Sequence, residues 1–594
     1  MDERLRPFLT KVEKPGRYIG GEYNLPDMNK PCNVRFCLCF ADIYEVGMSN
    51  LGIGILYDVL NKTDGVVCER CFAPWLDMGK ILKENNLPLA SIETGKPLKE
   101  FDIVGFSVPY EMSYTNILYM MDLAGIPFRA KDRNGDFPLI VGGGPAAANP
   151  EPIIDFFDIF FIGEGEYIDA ELCKIVEKYK GDKNKILEEA AKIDGIYVPS
   201  VCKIIDGINV TTVKKAVVKN LDKAPYPTKP LVPNIEIIHD RSVMELYRGC
   251  YAGCRFCQAC FFYRPVRYRE KDTVASLAAQ IIDNTGFDEM GLASLSSGDY
   301  EDICELIKEL KELTEKKNVV LQMPSLRLDS FTEGVLERAK KTSLTFAPEA
   351  GTQRLRNVIN KNVTEEDIVN SMRIAFTAGY TTVKLYFMMG LPTETDEDVL
   401  GIAETVRLIR KTFMEVTGKK NIFINVSTAM FIPKPATPFQ WAEQISGEEM
   451  YRRQNLLKKE LFSIKGVHYS WHGADMSVLE GLFARGDRKL SYVIESAYKK
   501  GCFFDSWTEK FDINKWNEAI EENGINVSDY TGLHDENKPL PWDFIDFGVS
   551  KDYFLKEWRK ALKGETTPPC KHKCNGCGAS KLGKCRFYVK GEKE

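Results

Sequence analysis

The sequence predicts an α/β protein: a doubly wound N-terminal domain, then a partial parallel (β/α)6 barrel, a helical region and a small Cys-rich C-terminal module. Three observations carry this expectation. Short, continuous apolar runs alternate with amphipathic segments in two successive series, the pattern of parallel strands buried on both faces. A Pro-spaced stretch ending in "APYPTKPLVPN" separates the series. Cysteines cluster directly after the first strand of the second series and again near the C-terminus.

A chain of 594 residues accommodates about two to four domains. The opening "MDERLRPFLTKVEKPG" is too charged for a secretory signal, and no uninterrupted apolar stretch reaches membrane-spanning length. The expected compartment is the cytoplasm, without membrane contact. Thiols stay reduced there, so the seventeen cysteines are better read as metal or cluster ligands than as disulfides. The net charge of −6 is uneven, because residues 551–594 hold twelve Lys or Arg against five Asp or Glu. A basic tail on an acidic body fits an anionic partner, RNA among them; a solvated tail is the plainer alternative.

Residues 1–31 form an N-terminal extension. In 32–235, the doubly wound domain and its linker, the strand candidates are "VRFCLCFA", "FDIVGFSVPY", "FPLIVGGG" and "DIFFIGEG". In 236–440 they are Ser242–Gly249, Glu289–Ala293, Val319–Met323, Leu344–Pro348, Val383–Met389 and Ile422–Met430, separated by helical patterns such as "YEDICELIKELKELTEK". Six strand–helix units predict a partly closed barrel, with its chemistry at the C-terminal ends of the strands. Residues 441–545 read as helical, with "SVLEGLFARGDRKLSYVIESAYKKG" as a packed helix pair, and 546–594 form the Cys-rich basic module.

The stretch "YRGCYAGCRFCQAC" follows the first barrel strand. Cys250, Cys254 and Cys257 can wrap three corners of a cubane 4Fe–4S cluster, with Gly249 and Gly253 letting the backbone fold around it. The fourth iron is then open to an amine and a carboxylate. Zinc with Cys260 as a fourth ligand is the alternative. Near the C-terminus "CKHKCNGCGASKLGKC" supplies Cys570, Cys574, Cys577 and Cys585, a full set for zinc or a second 4Fe–4S cluster. His572 reads as a solvated neighbour; His239, His468, His472 and His534 lack metal spacing and read as structural.

The Cys-x3-Cys-x2-Cys spacing with Phe256 before the third cysteine resembles the signature of the radical S-adenosylmethionine superfamily. The resemblance implies that the open iron chelates S-adenosylmethionine and that its reductive cleavage yields a 5′-deoxyadenosyl radical. It also implies a low-potential electron donor of the flavodoxin or ferredoxin type. By position, Ser297, Gly298 and Asp299 of "LSSGDY" stand where the superfamily contacts the methionine amine. Glu349 and Arg354 of "FAPEAGTQRLR" stand where it often holds ribose and carboxylate; a helix cap near Thr352 and a surface ion pair are the structural alternatives. Pro433, Pro435 and Pro438 make a rigid loop at the barrel mouth.

The N-terminal domain resembles the Rossmann-like, cobalamin-binding type found before such barrels. Where many such domains carry Asp-x-His-x-x-Gly, this chain has Asp42, Tyr44 and Gly47, so a phenol replaces the cobalt-binding imidazole. Gly142, Gly143 and Gly144 allow close approach of a cofactor, though a nucleotide site or a tight turn fits such a strand end as well, and without the imidazole the domain either binds cobalamin without a protein ligand or is a vestigial shell. "CQACFFYRPVRYRE", "FDSW" and "LPWDFIDFGVSKDYFLKEW" narrow the resemblance to fused cobalamin-binding-domain radical proteins, in which Gly is usual where this chain has Cys260.

The resulting expectation is a radical S-adenosylmethionine enzyme that methylates or otherwise functionalises an unactivated carbon, with RNA as one substrate class. Sulfur insertion of the methylthiotransferase kind and a non-catalytic cluster-bearing RNA-binding or redox-sensing protein are the alternatives. If the terminal module grips RNA, deletion of 546–594 is expected to leave S-adenosylmethionine cleavage without substrate largely intact; the alternative is a terminal metal that supports the barrel or passes electrons to its cluster.

Overall fold

The computed structural model describes residues 2–585 apart from 134, 136, 206, 207 and 323–343. Its first domain is built on a six-stranded sheet: β1 (Val34–Phe40), β2 (Val66–Phe72), β3 (Ile103–Ser107), β4 (Leu139–Gly143), β5 (Ile159–Phe161) and β6 (Ile196–Tyr197). The order is β2-β1-β3-β4-β5-β6, parallel except for the β5–β6 pair. Apolar runs without alternation become strands covered on both faces, as expected. β2 was not expected, because Glu69 and Arg70 interrupt "VVCERCF". Both are buried and paired: Glu69 with Arg35 at 2.8 Å and Ser91 at 2.6 Å, Arg70 with Glu93 at 2.7 Å and Glu22 at 3.0 Å.

The second series forms two parallel sheets. Ser242–Glu245, Glu289–Ala293 and Val320–Gln322 make the first; Leu344–Glu349, Thr382–Met389, Phe423–Met430 and Val467–Trp471 make the second. All six expected strands are present, although Met323 lies outside the described residues. Among the described residues the two sheets are not joined and no closed barrel forms. Val467–Trp471 corrects the helical reading of 441–545: "VHYSW" is a seventh strand, running parallel to Phe423–Met430 with Val467 opposite Ile424. His468 and Ser470 interrupt it, which hides it from an apolar-run criterion.

The helix pair is found at Ala474–Ala484 and Leu490–Lys499. It grips the first domain, where the Asn149 amide donates to the carbonyls of Ala484 and Gly486, and Arg488 pairs with Glu151 at 2.7 Å. The linker is likewise tied down, since Val213–Lys214 pairs in parallel with Ile545–Asp546.

The C-terminal module is not detachable. Its helix Lys551–Leu562 brings Glu557 to the fully buried Arg255 of the cysteine loop at 3.0 Å. The Thr567 amide donates to Asn360 at 2.8 Å. These contacts tie the module to the cysteine loop and to the segment after the fourth barrel strand.

Candidate functional site: the cysteine loop and the cavity beside it

A two-residue ribbon, Tyr247–Arg248 against Arg267–Tyr268, clamps the base of the loop. Gly249 turns the chain with φ +91°, and a Cβ there would stand 2.9 Å from the Tyr263 carbonyl oxygen. Cys250 and Cys254 are buried, and Cys257 caps the short helix Gln258–Phe262. The Ala252 amide donates to Cys250 Sγ at 3.5 Å and the Gly253 amide to Cys260 Sγ at 3.2 Å.

Two of the loop thiols resist ionisation, while the hydrogen bond from Cys250, against burial and with help from Arg264, brings Cys260 down to about 6. Cys250 is held well above its usual value by its hydrogen bond to Cys260 and by burial; burial and like charges on Cys260 and Cys254 push Cys257 up to about 12. Bound iron cations would reverse that penalty, as metals do for coordinating thiols. Among the described residues no three Cys, His, Asp or Glu side chains stand together as ligands of a single metal ion. The fit to a cluster rests instead on the loop's N–H···S donors and on Arg264. That guanidinium is 3% exposed, bonds the Cys260 carbonyl at 3.1 Å through Nε, lies 3.8 Å from Cys260 Sγ through Nη2, and leaves Nη1 without a hydrogen-bond partner. Anionic cluster sulfur would supply the missing acceptor.

Ser297, Gly298 and Asp299 form a tight turn after the second barrel strand. The Ser297 hydroxyl meets Ser294 at 2.5 Å. Asp299 accepts from the Ser296 hydroxyl at 2.8 Å and pairs with Lys571 of the terminal module, so its carboxylate is already engaged. Glu349 ends the fourth barrel strand at φ +69° and pairs with Lys361 at 3.2 Å. Arg354 is half exposed and committed to Asp398 and, at 2.8 Å, to the Thr393 carbonyl. This is the surface ion pair its position also allowed.

A cavity of about 430 Å³ opens between the first domain and the cysteine loop. Gly142, Gly143 and Gly144 line it from the sheet, and Arg248, Gly249 and Ser294 line it from the barrel. Asp42, Tyr44 and Gly47 do not join them. Asp42 accepts from Trp507 Nε1 at 3.2 Å, Tyr44 donates to Glu22 at 3.1 Å, and Gly47 lines a separate cavity of about 470 Å³.

Ser107, Glu164, Glu166, Asp169 and Arg248 line the first cavity without having been singled out from sequence. "FIGEGE" beside "YRGC" was the available signal, but their meeting across domains was not. Arg248 pairs with Glu166 at 2.5 Å and Glu245 at 2.8 Å, and Arg267 pairs with Glu164 at 2.5 Å. Burial opposes charge on Glu164, yet the two arginines hold its carboxyl below the usual range. These pairs fasten the cavity's two walls. Opposite them, the barrel-mouth loop places Lys434 between Glu111 of the first domain and Glu480 of the helical region, 2.8 Å from each, while Gln258 Nε2 reaches the Pro435 carbonyl at 3.1 Å. The proline loop therefore touches the helix that follows Cys257.

Two protein-family models match the chain. Residues 244–406 match the model of the radical SAM superfamily, and residues 52–199 match the model described as radical SAM proteins, N-terminal. The chain belongs to the radical S-adenosylmethionine superfamily, and it is a radical S-adenosylmethionine enzyme. Within it, the chain is 30% identical over 497 residues to uncharacterized protein MJ0966 of Methanocaldococcus jannaschii, covering 81% of this chain and 98% of that one. Among solved structures, the radical S-adenosylmethionine methyltransferase TsrM from Kitasatospora setae, with cobalamin and a [4Fe–4S] cluster bound, aligns over 66% of this chain and 72% of its own at 15% identity and TM-score 0.45. The cobalamin-dependent S-adenosylmethionine radical enzyme OxsB, with aqua-cobalamin bound, aligns over 89% and 80% at 15% identity and TM-score 0.48. Among the described residues no helix is long and apolar enough to cross a membrane.

Proposed function

We propose that the chain transfers a methyl group to, or otherwise functionalises, an unactivated carbon, with Cys250, Cys254 and Cys257 holding a 4Fe–4S cluster and cobalamin lying in the 430 Å³ cavity. One observation carries the reading: Gly142–Gly144 open directly onto the loop residues Arg248 and Gly249. When bound, the cluster supplies the electron that cleaves S-adenosylmethionine, and cobalamin supplies a methyl carrier. The protein's share is placement and shielding. Ser297 and Gly298, near the open corner, are the proposed contacts for the methionine amine, and Glu349 for ribose hydroxyls. Asp299 acts by fixing the turn, through Ser296 and Lys571. Arg354, paired here with Asp398, is the proposed contact for the methionine carboxylate. Gly142, Gly143 and Gly144 bring backbone to the cavity wall, and they are glycines because a Cβ there would meet Phe160, Phe161 and the Val108 backbone.

No histidine lines this cavity. Cobalamin bound there is therefore expected without a protein imidazole on cobalt, consistent with Tyr44 being engaged elsewhere. Anaerobic reconstitution with cobalamin and S-adenosylmethionine carrying a deuterated methyl group tests the reading. Labelled methyl should appear in product, and labelling histidine with heavy nitrogen should leave the cob(II)alamin electron paramagnetic resonance unchanged. Failure of cobalamin to bind would contradict it. RNA as substrate rests on the charge of residues 551–594 alone, and mass spectrometry of RNA after incubation decides it.

A further inference from the structure

We propose that Cys570, Cys574, Cys577 and Cys585 hold a second iron–sulfur cluster that is the electron port of the loop cluster, and that the lysine-rich surface around Cys574 docks an acidic low-potential electron-transfer protein. The proposal rests on the reading that Cys250, Cys254 and Cys257 hold the first cluster.

The two cysteine sets touch. The Cys570 amide donates to the Tyr251 carbonyl at 2.9 Å, one residue from Cys250. One peptide unit and one hydrogen bond thus connect a ligand of the first site to a ligand of the second. Lys571, next in the chain, pairs with Asp299 in the turn after the second barrel strand. The segment is therefore built into the wall of the first site.

The sets differ in access. Cys250 and Cys254 are 8% and 6% exposed, whereas Cys574 is exposed and Cys570, Cys577 and Cys585 are half-buried. A protein donor meets the terminal set before the loop. Zinc has no redox chemistry with which to use that position, and an iron–sulfur cluster has. Arg264 lies between the sets. Cys260, Cys570 and Cys577 are among the groups whose charges act on this buried guanidinium, and its Nη1 has no acceptor. The guanidinium also lies over the Phe261 and Tyr553 rings, and anionic clusters beside it would supply the acceptor that Nη1 lacks.

The surface charge fits the partner. Lys573 and Lys584 flank Cys574 and Cys585, are exposed, and make no ion pair among the described residues, while Lys571 and Lys581 are taken by Asp299 and Asp546. Lys556 and Lys563, exposed on the adjoining helix and the turn after it, extend the field. Such a patch attracts an acidic protein and speeds its encounter at low salt. One electron leaves the reduced donor, reduces the terminal cluster and passes to the loop cluster. It ends in the sulfonium carbon–sulfur bond, which breaks to methionine and the 5′-deoxyadenosyl radical; no proton moves.

The test uses the reconstituted full chain. Wild type should hold about eight irons, two cubanes, and no zinc. Its reduced electron paramagnetic resonance should show two signals broadened by each other, and C574A/C585A should leave one sharp signal. K573E/K584E should keep the iron and weaken binding of a flavodoxin about tenfold at low salt, with the difference fading as salt rises. One zinc with four irons, two non-interacting signals, or unchanged flavodoxin affinity would overturn the proposal. Loss of binding to a single-stranded RNA in place of flavodoxin would overturn it in favour of nucleic acid. A triad variant that loses no iron defeats the underlying reading instead.

Discussion

Asp169 shows how the cavity departs from an ordinary protein interior. It is 2% exposed, lines the cavity, and its Oδ2 has no hydrogen-bond partner. Burial, and then the nearby Glu166 charge, push its carboxyl up to about 8 from an ordinary 3.8. The folded protein keeps this proton while the unfolded chain loses it, so Asp169 removes stability progressively as pH rises from about 4 to 8. Asp169→Asn, neutral throughout, should raise the melting temperature at pH 8 more than at pH 5. Thermal unfolding at the two pH values reads this, and an equal shift at both would show that Asp169 is charged in the fold. At the same scale, Glu349 and Asp299 were recognisable as polar residues at strand ends. Their partners were not, because Lys361 and Lys571 meet them only in the folded chain.

Among the elements, those bounded by sharp chemistry were the legible ones. The six expected barrel strands and four strands of the first sheet are apolar runs ended by Gly, Pro or polar residues, and their shortness and flanking Gly and Pro favour strands over buried helices. β2 and Val467–Trp471 were illegible for opposite reasons: β2 buries charge in pairs supplied from distant segments, and "VHYSW" leaves most of its side chains exposed. The cysteine loop was readable because ligand spacing is local, whereas the cavity beside it needs two domains. The helix Lys551–Leu562 gives a test at this scale. Removing 546–594 takes Glu557 from the buried Arg255, and an uncompensated buried charge costs about 3–5 kcal/mol. The truncated chain should unfold at lower denaturant and hold less iron in the cysteine loop. Retention of wild-type stability and loop iron would show that the segment is an appendage after all.

For the whole molecule, the Arg248 and Arg267 pairs hold the first domain to the barrel beside the cavity, and the Lys434 bridge ties the barrel-mouth loop to the first domain and the helical region. The cavity itself is lined by glycine-bearing strand ends of the first domain and by the start of the cysteine loop. The terminal cysteines sit outside, in contact with the loop. The account stands on Cys250, Cys254 and Cys257 as the ligands of a cluster that cleaves S-adenosylmethionine. The direct measurement is 5′-deoxyadenosine formed after anaerobic reconstitution with iron, sulfide, S-adenosylmethionine and dithionite. Wild type should form it, and the Cys250→Ala, Cys254→Ala, Cys257→Ala triple variant should form none while the terminal set keeps its metal. 5′-Deoxyadenosine from the triple variant at the wild-type rate would contradict the account.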